Sequence, residues 1–451
     1  MKLKTRHSAS LNFSTSKLNP EVVVIGAGAA GLSATSELLR KKKSVLCIEA
    51  MNRIGGRCFT DHNIFGIPYD IGAHWLHNYS GNQLAKYGIK NSEKFDVYKI
   101  KENLLVYDGL KKTSSKNLNE TLKKINKVKH EYLDVKVNMK RNEKKPFIDD
   151  IPFINQIPKH LKENDWFGTA HQVMGACLAG VDFDNFTIYD EFLNYKEIGN
   201  KDGFVKEGYG SLIANLRKDV PVSLNTIVNE IKWDRKGIVV ETNQGSIKSK
   251  ICVVTVSTEV LKVGKVKFTP KLPIEKYEAF NGINLGIYNH ITLQLKDEFY
   301  NSFEILPDTY LFSKITNKNS PPKGSFGSLK LHDTNLSYFD VGGQFAKNLE
   351  KEGERASIDF VINSLRSTFG SNFDQFVIKA DATSWGKNEF SLGSYSSAKP
   401  GKAHLREVLK SSVGDRIFFA GEATSINYGT VHGADLSGKE VADAAINISK
   451  F

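Results

Sequence analysis

Apolar runs and helical patterns alternate at the start of the chain. After a polar, Ser-rich stretch over residues 1–20, residues 21–25 form an apolar run of the kind found in buried strands. A glycine-rich turn, a helical pattern through residue 39 and a second apolar run over residues 45–48 follow. A strand, a helix and a strand within about 30 residues are typical of a parallel α/β unit. We therefore expect the chain to open with an α/β unit.

The pattern changes twice further along the chain. Residues 84–201 are charged and helix-like, with few strand runs. Short strands are then predicted at residues 223–224, 228–233, 237–242 and 251–256. Later elements are a strand at 290–295, an irregular stretch at 315–323, a helix at 352–369, a strand at 416–420 and a helix at 430–448. The first and last regions are thus predicted to be α/β.

The turn after the first strand carries the pattern GxGxxG. Gly26 permits a tight turn, Gly28 lets the backbone approach a pyrophosphate, and Gly31 lets the helix pack closely on the strand. The helix N-terminus attracts phosphate charge. Glu49 ends the next strand, 18 residues beyond the last glycine, where an acid suits two ribose hydroxyls and disfavours a 2′-phosphate. This unit predicts a dinucleotide site.

Length and composition narrow the class of protein. A chain of 451 residues predicts two or three domains. No apolar run reaches the roughly 18 residues of a membrane span, and residues 1–20 lack the apolar core of a signal peptide, so we expect a cytoplasmic protein without a transmembrane segment. The four cysteines are scattered, which predicts neither a disulfide framework nor a metal site.

The net charge of +12 is concentrated in one segment. Residues 110–146 hold 12 Lys or Arg against 4 Asp or Glu, a balance of +8. No interleaved aromatic residues or DNA-binding motif accompany these charges. A solvated helical face is therefore expected, and nucleic acid is not an expected partner.

Five blocks resemble the flavin-containing amine oxidase superfamily, in the same order. They are residues 50–57 (AMNRIGGR), 69–77 (YDIGAHWLH), 205–216 (VKEGYGSLIANL), 385–396 (WGKNEFSLGSYS) and 419–438 (FAGEATSINYGTVHGADLSG). The resemblance runs from residue 21 to about residue 445. The phrase TVHGADLSG, and Trp75 and His77 in the second block, look more like polyamine oxidases, spermine oxidases and histone lysine demethylases than monoamine oxidases.

This resemblance implies a fold and a cofactor. The fold is α/β, with a Rossmann-like FAD-binding domain from residues 1–83, 203–264 and 381–451. A discontinuous α+β substrate domain consists of residues 84–202 and 265–380. Some family members attach FAD through a Cys that here is Ser394, so the FAD is expected to be non-covalent.

The resemblance also assigns roles to residues. The catalytic candidates are His77, His290, Tyr395 and Thr430. The FAD-binding candidates are Gly26, Gly28, Ala30, Gly31, Glu49, Ala50, Gly56, Arg57, Gly72, Ala73, His74, Trp75, Val228, Trp385, Gly421, Glu422, Thr430, Val431 and Ala434. Trp385 and Tyr395 are expected to flank the flavin and the substrate cavity. Independently, a carboxylate at the turn of Glu422 could accept bonds from cofactor hydroxyls, and the helix beginning near Thr430 could stabilise negative charge.

His290 occupies the position of a lysine that holds a water beside the flavin in relatives. Strand alternation places Ile291, Leu293 and Leu295 on one face and His290, Thr292 and Gln294 on the other, polar face. An imidazole can also hold a water, but its charge is conditional near neutral pH. A neutral ring would supply less positive charge than lysine, which predicts slow reaction with oxygen.

The expected activity is removal of a hydride from the carbon next to an amine nitrogen, its delivery to FAD, and hydrolysis of the imine. The acceptor is oxygen or another oxidant. Thr430, where monoamine oxidases carry an aromatic residue, favours an open polar cavity floor and therefore secondary or polyamine-like amines. Acids that could attract a cationic amine are Asp182, Asp184, Asp190 and Glu191.

Two other functions share part of the pattern. Flavin desaturases or isomerases of the carotenoid or porphyrinogen type also carry GxGxxG and GGR, but the TVHGA and GSYS blocks count against them. A non-catalytic flavoprotein that serves as a binding module, as in a chromatin complex, gains little support from a chain without an appended reader domain.

Overall fold

A parallel sheet forms the first layer of the protein, whose computed structural model describes residues 19–101, 103–140, 150–190, 201–316 and 322–448. Its five strands lie in the order Ile417–Phe419, Ile251–Val254, Val22–Ile25, Val45–Ile48 and Val222–Ser223. All four pairings are parallel. Three of the strands are fully buried, as expected for a parallel sheet covered on both faces.

Two helices cover this sheet and pack on each other. The first helix, Ala29–Arg40, follows the glycine turn, and the last helix, Val431–Ile448, lies beside it. They approach closely because Gly438 has no side chain: a Cβ there would lie 2.2 Å from the carbonyl oxygen of Ala30. The first and last helices therefore share one apolar core.

A four-stranded sheet adjoins the parallel sheet. Its order is Gly245–Ser249, Ile238–Thr242, Val228–Trp233 and Lys267–Thr269, with the last pairing parallel and the others antiparallel. Val228 and Ile231 point into the apolar core that these strands share with the parallel sheet.

A seven-stranded, mostly antiparallel sheet forms the second half of the protein. Its order is Val377–Ala382, Tyr288–Leu295, Leu336–Gly342, Phe326–Leu329, Thr309–Ser313, Asn103–Asp108 and Lys111–Thr113. The face with Ile291, Leu293 and Leu295 packs in an apolar core against helices Asp297–Ser302, Gly343–Glu352 and Glu354–Phe369.

Further helices and three pairs of short strands complete the fold. The helices are Gln83–Lys90, Lys116–Lys140, Phe153–Asn155, Lys159–Lys162, Phe167–His171, Gln172–Cys177 (a π-helix), Tyr209–Leu216, Thr258–Lys262, Ile274–Gly282, Leu331–Asp333, Phe373–Phe376, Leu405–Lys410 and Glu422–Thr424. The paired strands are Thr60–Asp61 with Tyr69–Asp70, Val97–Lys99 with Gly203–Val205, and Ile283–Leu285 with Ser396–Ala398.

The α/β fold class is confirmed, with differences in detail. Residues 84–201, expected to hold few strands, contain Val97–Lys99, Asn103–Asp108 and Lys111–Thr113, whose charged residues hid the strand pattern. The helix expected from residue 352 is the second of two, separated at Gly353, whose φ of +108° suits glycine. Residues 317–321 of the predicted irregular stretch lie outside the described residues. The limits of the two domains stay a prediction.

Two searches of the described ranges give negative results. No helix within them has the length and apolar character needed to cross a membrane. Among these same residues, no three His, Cys, Asp or Glu side chains are grouped as a metal would require.

Candidate active site

The glycine turn lies at the carboxyl end of the parallel sheet. Gly26 has a φ of +100°, and a Cβ on Gly31 would lie 1.9 Å from the carbonyl oxygen of Gly26. Ala30 is buried in the first turn of the helix that follows. Both glycines are therefore required for the helix to begin this close to the strand. The crevice outside the carboxyl ends of such strands is the usual ligand site of doubly wound sheets.

Glu49 lies directly beside this turn. Its carboxylate accepts hydrogen bonds from the backbone N–H of Ala27 at 2.6 Å and of Met51 at 2.9 Å. Burial raises the pKa of Glu49, although these two N–H groups act in the opposite direction. A carboxylate has about four acceptor positions, so Glu49 retains acceptor capacity for hydroxyl groups. Ala50 is half-buried after Glu49, and the residues leading to Val228 run alongside, with Thr226 donating its N–H to the Glu49 carbonyl.

The GGR loop meets the glycine turn. Gly28 and Gly55 form an isolated parallel bridge, and a Cβ on Gly56 would lie 3.4 Å from the Cα of Gly28. Arg57 then joins the next block, because its carbonyl accepts from the N–H of Ala73 at 3.0 Å. A Cβ on Gly72 would lie 1.9 Å from that same carbonyl. Loops far apart in sequence therefore meet at glycine positions.

Arg57 also contacts the last block. Its Nη1 donates to Glu422 Oε1 at 2.9 Å and to the carbonyl of Ser394 at 2.6 Å. Glu422 Oε2 accepts from the hydroxyl of Ser396 at 2.6 Å and from the N–H of Gly429 at 2.9 Å. Burial raises the pKa of Glu422, but Arg57 and the other donors outweigh it, so the pKa lies below its ordinary value. Glu422 is thus an ionised carboxylate. We call the glycine turn, the GGR loop and the last block around it the cofactor cradle.

The last helix begins beside Glu422. The hydroxyl of Thr430 accepts from the N–H of Gly433 at 3.0 Å and donates to the carbonyl of Asn427 at 2.7 Å, as an N-cap does. Val431 is buried and Ala434 half-buried in the first turn. The hydroxyl of Thr430 is buried and engaged in this cap. Its roles in the cavity floor and in catalysis stay predictions.

Trp385 and Tyr395 contact different segments of the protein. Trp385 Nε1 donates to the carbonyl of Ile71 at 3.2 Å, and its ring lies against Gly72. The hydroxyl of Tyr395 donates to the carbonyl of Cys177 at 2.6 Å, at the end of the π-helix. This hydrogen bond joins Tyr395 to the π-helix. π-Helical turns frequently occur at functional sites.

His290 is buried rather than presented to water. Its Nδ1 lies 2.5 Å from Asp340 Oδ1, and its Nε2 lies 2.8 Å from the carbonyl oxygen of Gly72 and 3.3 Å from His74 Nδ1. Burial lowers the pKa of His290, but Asp340, the Gly72 carbonyl and Asp70 together outweigh it, so the pKa lies above its ordinary value. This direction favours a protonated ring over the neutral imidazole expected from the sequence, and the rate of reaction with oxygen stays a prediction.

His77 lies in a separate, half-exposed group. Its Nδ1 lies 3.1 Å from Asp202 Oδ2, and its ring stacks on Trp75 with the ring centres 6.4 Å apart. His432 is nearby; burial lowers its pKa to about 4, and the proximity of His77 acts in the same direction. Trp75 continues into a row of rings with Tyr310 and Phe326, at 5.8 and 6.3 Å.

Asp182 and Asp190, which were candidates to attract an amine, have partners within the protein. Asp190 Oδ1 lies 2.7 Å from Arg406 Nε, fully buried. Asp182 accepts from the N–H of Gln344 at 2.9 Å and is also buried. Glu191 lies outside the described residues. Asp202, a half-exposed acid that contacts His77, was missed by sequence reasoning, as was Asp340.

The chain is similar to known proteins over most of its length. The pattern of the family described as flavin containing amine oxidoreductase matches residues 29–446. Polyamine oxidase 5 of Oryza sativa subsp. japonica is 30% identical over 94% of this chain and 87% of its own length. The chain belongs to the flavin-containing amine oxidoreductases.

Other relatives and solved structures share the same framework. Polyamine oxidase 4 of the same plant is 28% identical over 94% of this chain and 88% of its own length. Lysine-specific histone demethylase 1 homolog 3 of Oryza sativa subsp. japonica is 28% identical, and the match covers 54% of that protein. The structure of wild-type putrescine oxidase bound to putrescine shares the fold, with a TM-score of 0.74 at 19% identity, over 95% of this chain and 99% of the other.

The residues of this amine oxidoreductase fit FAD. An opening lined by Arg57, Thr255, Gly421 and Glu422 lies at the carboxyl ends of strands Ile251–Val254 and Ile417–Phe419. A Cβ on Gly421 would meet no atom within 4 Å, so the turn faces open space. Backbone N–H groups at the glycine turn suit phosphates, and Glu49 suits a ribose. The cofactor is FAD, held without a covalent bond because Ser394 replaces the attaching Cys, and the enzyme is an FAD-dependent amine oxidoreductase.

Proposed function

We propose that the substrate is an extended amine with more than one positive charge, such as a polyamine or a long secondary amine. The observation that carries this proposal is Asp202, a half-exposed acid that is linked through His77 to a row of half-buried aromatic rings. A cation is attracted both by a carboxylate and by the faces of aromatic rings. A multiply charged chain could contact both groups along its length, whereas a small monoamine could not.

The row of rings supports a long apolar contact. Trp75, Tyr310 and Phe326 pack with ring centres 5.3 to 6.3 Å apart, and Phe312 lies 5.2 Å from Phe326. These rings are half-buried, so their outer faces can contact a methylene chain. His77 separates the row from Asp202. The relatives that are polyamine oxidases, at 28–30% identity, favour the same substrate class.

The protein residues would divide the work at the reacting carbon. When bound, FAD supplies a hydride acceptor. Tyr395 and Trp385 would exclude water and orient the amine, and His290 would supply positive charge from the adjoining strand. Gly72, Ala73, His74 and Trp75 would form the wall between His290 and the aromatic row. No residue needs to act as a nucleophile.

An anaerobic titration tests this proposal. Polyamines, diamines, secondary amines and benzylamine are each mixed with the purified protein, and loss of the flavin colour is followed. Faster bleaching by polyamines than by benzylamine is the expected result. Benzylamine as the fastest substrate would contradict it. Admission of air afterwards shows whether oxygen or another oxidant is the acceptor.

We also propose a cytoplasmic location. Support comes from the four cysteines, all of which are free, with Cys47, Cys58 and Cys252 buried. Burial raises the pKa of Cys47 to about 12, which leaves it unreactive. Within the basic helix Lys116–Lys140, Lys116, Lys123, Lys124 and Lys127 are exposed, and we propose that this face is solvated and does not bind nucleic acid.

A further inference from the structure

We propose that Asp340 is a positioning residue that holds His290 as a doubly protonated imidazolium, so that this ion pair, neutral overall, turns its positive end toward the cofactor. The inference rests on the proposed role of His290 at the lysine position. It concerns Asp340, which no motif in the sequence identified. The geometry carries it in three steps.

The first step is the set of partners around the His290 ring. Nε2 lies 2.8 Å from the carbonyl oxygen of Gly72, which can only accept a hydrogen bond. Nδ1 lies 2.5 Å from a carboxylate oxygen of Asp340, which also accepts when ionised. A neutral imidazole has one N–H and can satisfy one of these two acceptors. A ring with a proton on both nitrogens satisfies both.

The second step is burial. His290 is 2% exposed and Asp340 is fully buried, so a charge on either needs the other nearby. The two strands that carry them are paired, and His290 lies directly opposite Asp340 in the register. Neither side chain has to leave a regular strand to make the contact. The ring is thus fixed at one end by Asp340 and at the other by Gly72.

The third step is the environment on the remaining sides. His74 Nδ1 lies 3.3 Å from His290 Nε2, and burial together with His290 lowers the pKa of His74 well below its ordinary value, so His74 stays neutral and can accept. The other titratable groups around the ring are Tyr338, Tyr288 and Asp70, with ring centres 5.1 and 5.4 Å away for the two tyrosines. Burial raises the pKa of both tyrosines, so they stay neutral. No second cation competes with His290 among these groups, which belong to the described residues.

Asp340 therefore makes a histidine suitable where relatives carry a lysine. The ordinary pKa of a lysine lies about four units above that of an imidazole. A buried imidazole therefore loses its proton near neutral pH more readily than a lysine does, unless an anion compensates. The pair also leaves one proton, on Nε2, facing the wall formed by Gly72 and His74.

Histidine-ring ¹⁵N NMR of the FAD-loaded enzyme tests the protonation state directly. The His290 signal is assigned by its loss in His290→Gln. We expect wild-type His290 to show two protonated ring nitrogens throughout roughly pH 5 to 8, the range in which an ordinary histidine titrates. A neutral ring in the wild type, with the proton on Asp340 or absent, would overturn the proposal without any variant.

Asp340→Asn then tests the role of Asp340. The amide removes the anion and keeps the size, so the imidazolium signal should be lost near neutral pH. Asp381→Asn is the matched control, because Asp381 lies on the strand paired with the other edge of the His290 strand and accepts from the Tyr69 hydroxyl instead. A protonated His290 that persists in Asp340→Asn would overturn the role of Asp340.

The flavin reports the consequence independently. Near neutral pH, Asp340→Asn and His290→Gln should both lower the midpoint potential of bound FAD, and both should slow reoxidation by at least about tenfold. Asp381→Asn should leave both unchanged. If none of the tested amines bleached the flavin, the proposed substrate class would be wrong. The NMR result would still decide whether Asp340 holds His290 protonated. Unchanged potentials in both His290 and Asp340 variants would overturn the electrostatic role.

Discussion

Arg57 Nη1 lies 2.9 Å from Glu422 Oε1 and joins two loops that are 365 residues apart in sequence. Glu422 is buried, and three of its donors come from Arg57, Ser396 and Gly429. The ion pair therefore closes the cradle between the GGR loop and the last helix.

Replacement of Glu422 by Gln should open this cradle. The variant keeps the shape but removes the charge that compensates Arg57, so we expect a loss of about 1–3 kcal/mol in unfolding free energy and reduced FAD content after dialysis. Glu440→Gln is the control, because Glu440 forms a surface ion pair with Lys410 at 2.8 Å, which contributes little. Equal effects of the two substitutions would contradict a special role for Glu422.

Acid should weaken the enzyme through two paired carboxylates. Burial raises the pKa of Glu422 and of Asp435. The cationic partner Arg57 acts against burial at Glu422, and Arg217 and Lys439 do so at Asp435. Both pKa values therefore lie below their ordinary values of 4.5 and 3.8. A carboxylate whose pKa is lowered in the folded protein stabilises the fold at pH values above its ordinary pKa. This stabilisation is lost as the pH falls below the ordinary pKa and through the folded-state pKa. Urea unfolding should therefore show falling stability below about pH 4.5. The decline should be shallower in Asp435→Asn, and an identical decline in both proteins would contradict this.

Glu49→Ala should weaken FAD retention. The alanine leaves a ribose hydroxyl pair without its acceptor, which costs about 1–3 kcal/mol, and it also releases the N–H groups of Ala27 and Met51. Glu49→Gln keeps one acceptor oxygen, so its loss should be smaller. Equilibrium dialysis of FAD measures both. Retention equal to wild type in Glu49→Ala would argue against a ribose contact.

The cofactor cradle could be predicted from sequence because its parts are local. Gly26 and Gly421 mark turns whose backbone geometry favours glycine, Gly31 allows the helix to approach the strand, and Glu49 follows at a fixed spacing. The strands Val22–Ile25 and Val45–Ile48 were also recognisable, since buried parallel strands are continuously apolar.

The side-chain partners could not be predicted in the same way. His290 was placed on a polar face, but what that face meets depends on a strand 50 residues later, where Asp340 has no local signature. Thr430 was interpreted as a cavity residue, whereas its contacts with Asn427 and Gly433 make it a helix cap. Such roles depend on tertiary pairing and on the start of a helix to within one residue.

Denaturation should release the FAD. Ser394 cannot form the thioether of covalent relatives, and its hydroxyl donates to the carbonyl of Tyr288 at 2.7 Å while accepting from the N–H of the same residue. The purified enzyme should be yellow, and acid or heat should leave the colour in the supernatant. Absorbance of both fractions after precipitation checks this. Colour that stays with the precipitated chain would refute it.

Asp202→Asn should discriminate between long and short amines. Loss of the carboxylate removes attraction for a remote ammonium, so the KM for a polyamine should rise by about tenfold, on the scale of a charged hydrogen bond, while kcat changes little. The KM for a monoamine, which cannot reach Asp202 and the reacting carbon together, should stay near the wild-type value. Asp96→Asn is the matched control: it removes one negative charge next to the paired strands Val97–Lys99 and Gly203–Val205, at an exposed position. If the two variants affected polyamines and monoamines equally, Asp202 would act through net charge alone and the substrate contact would be wrong.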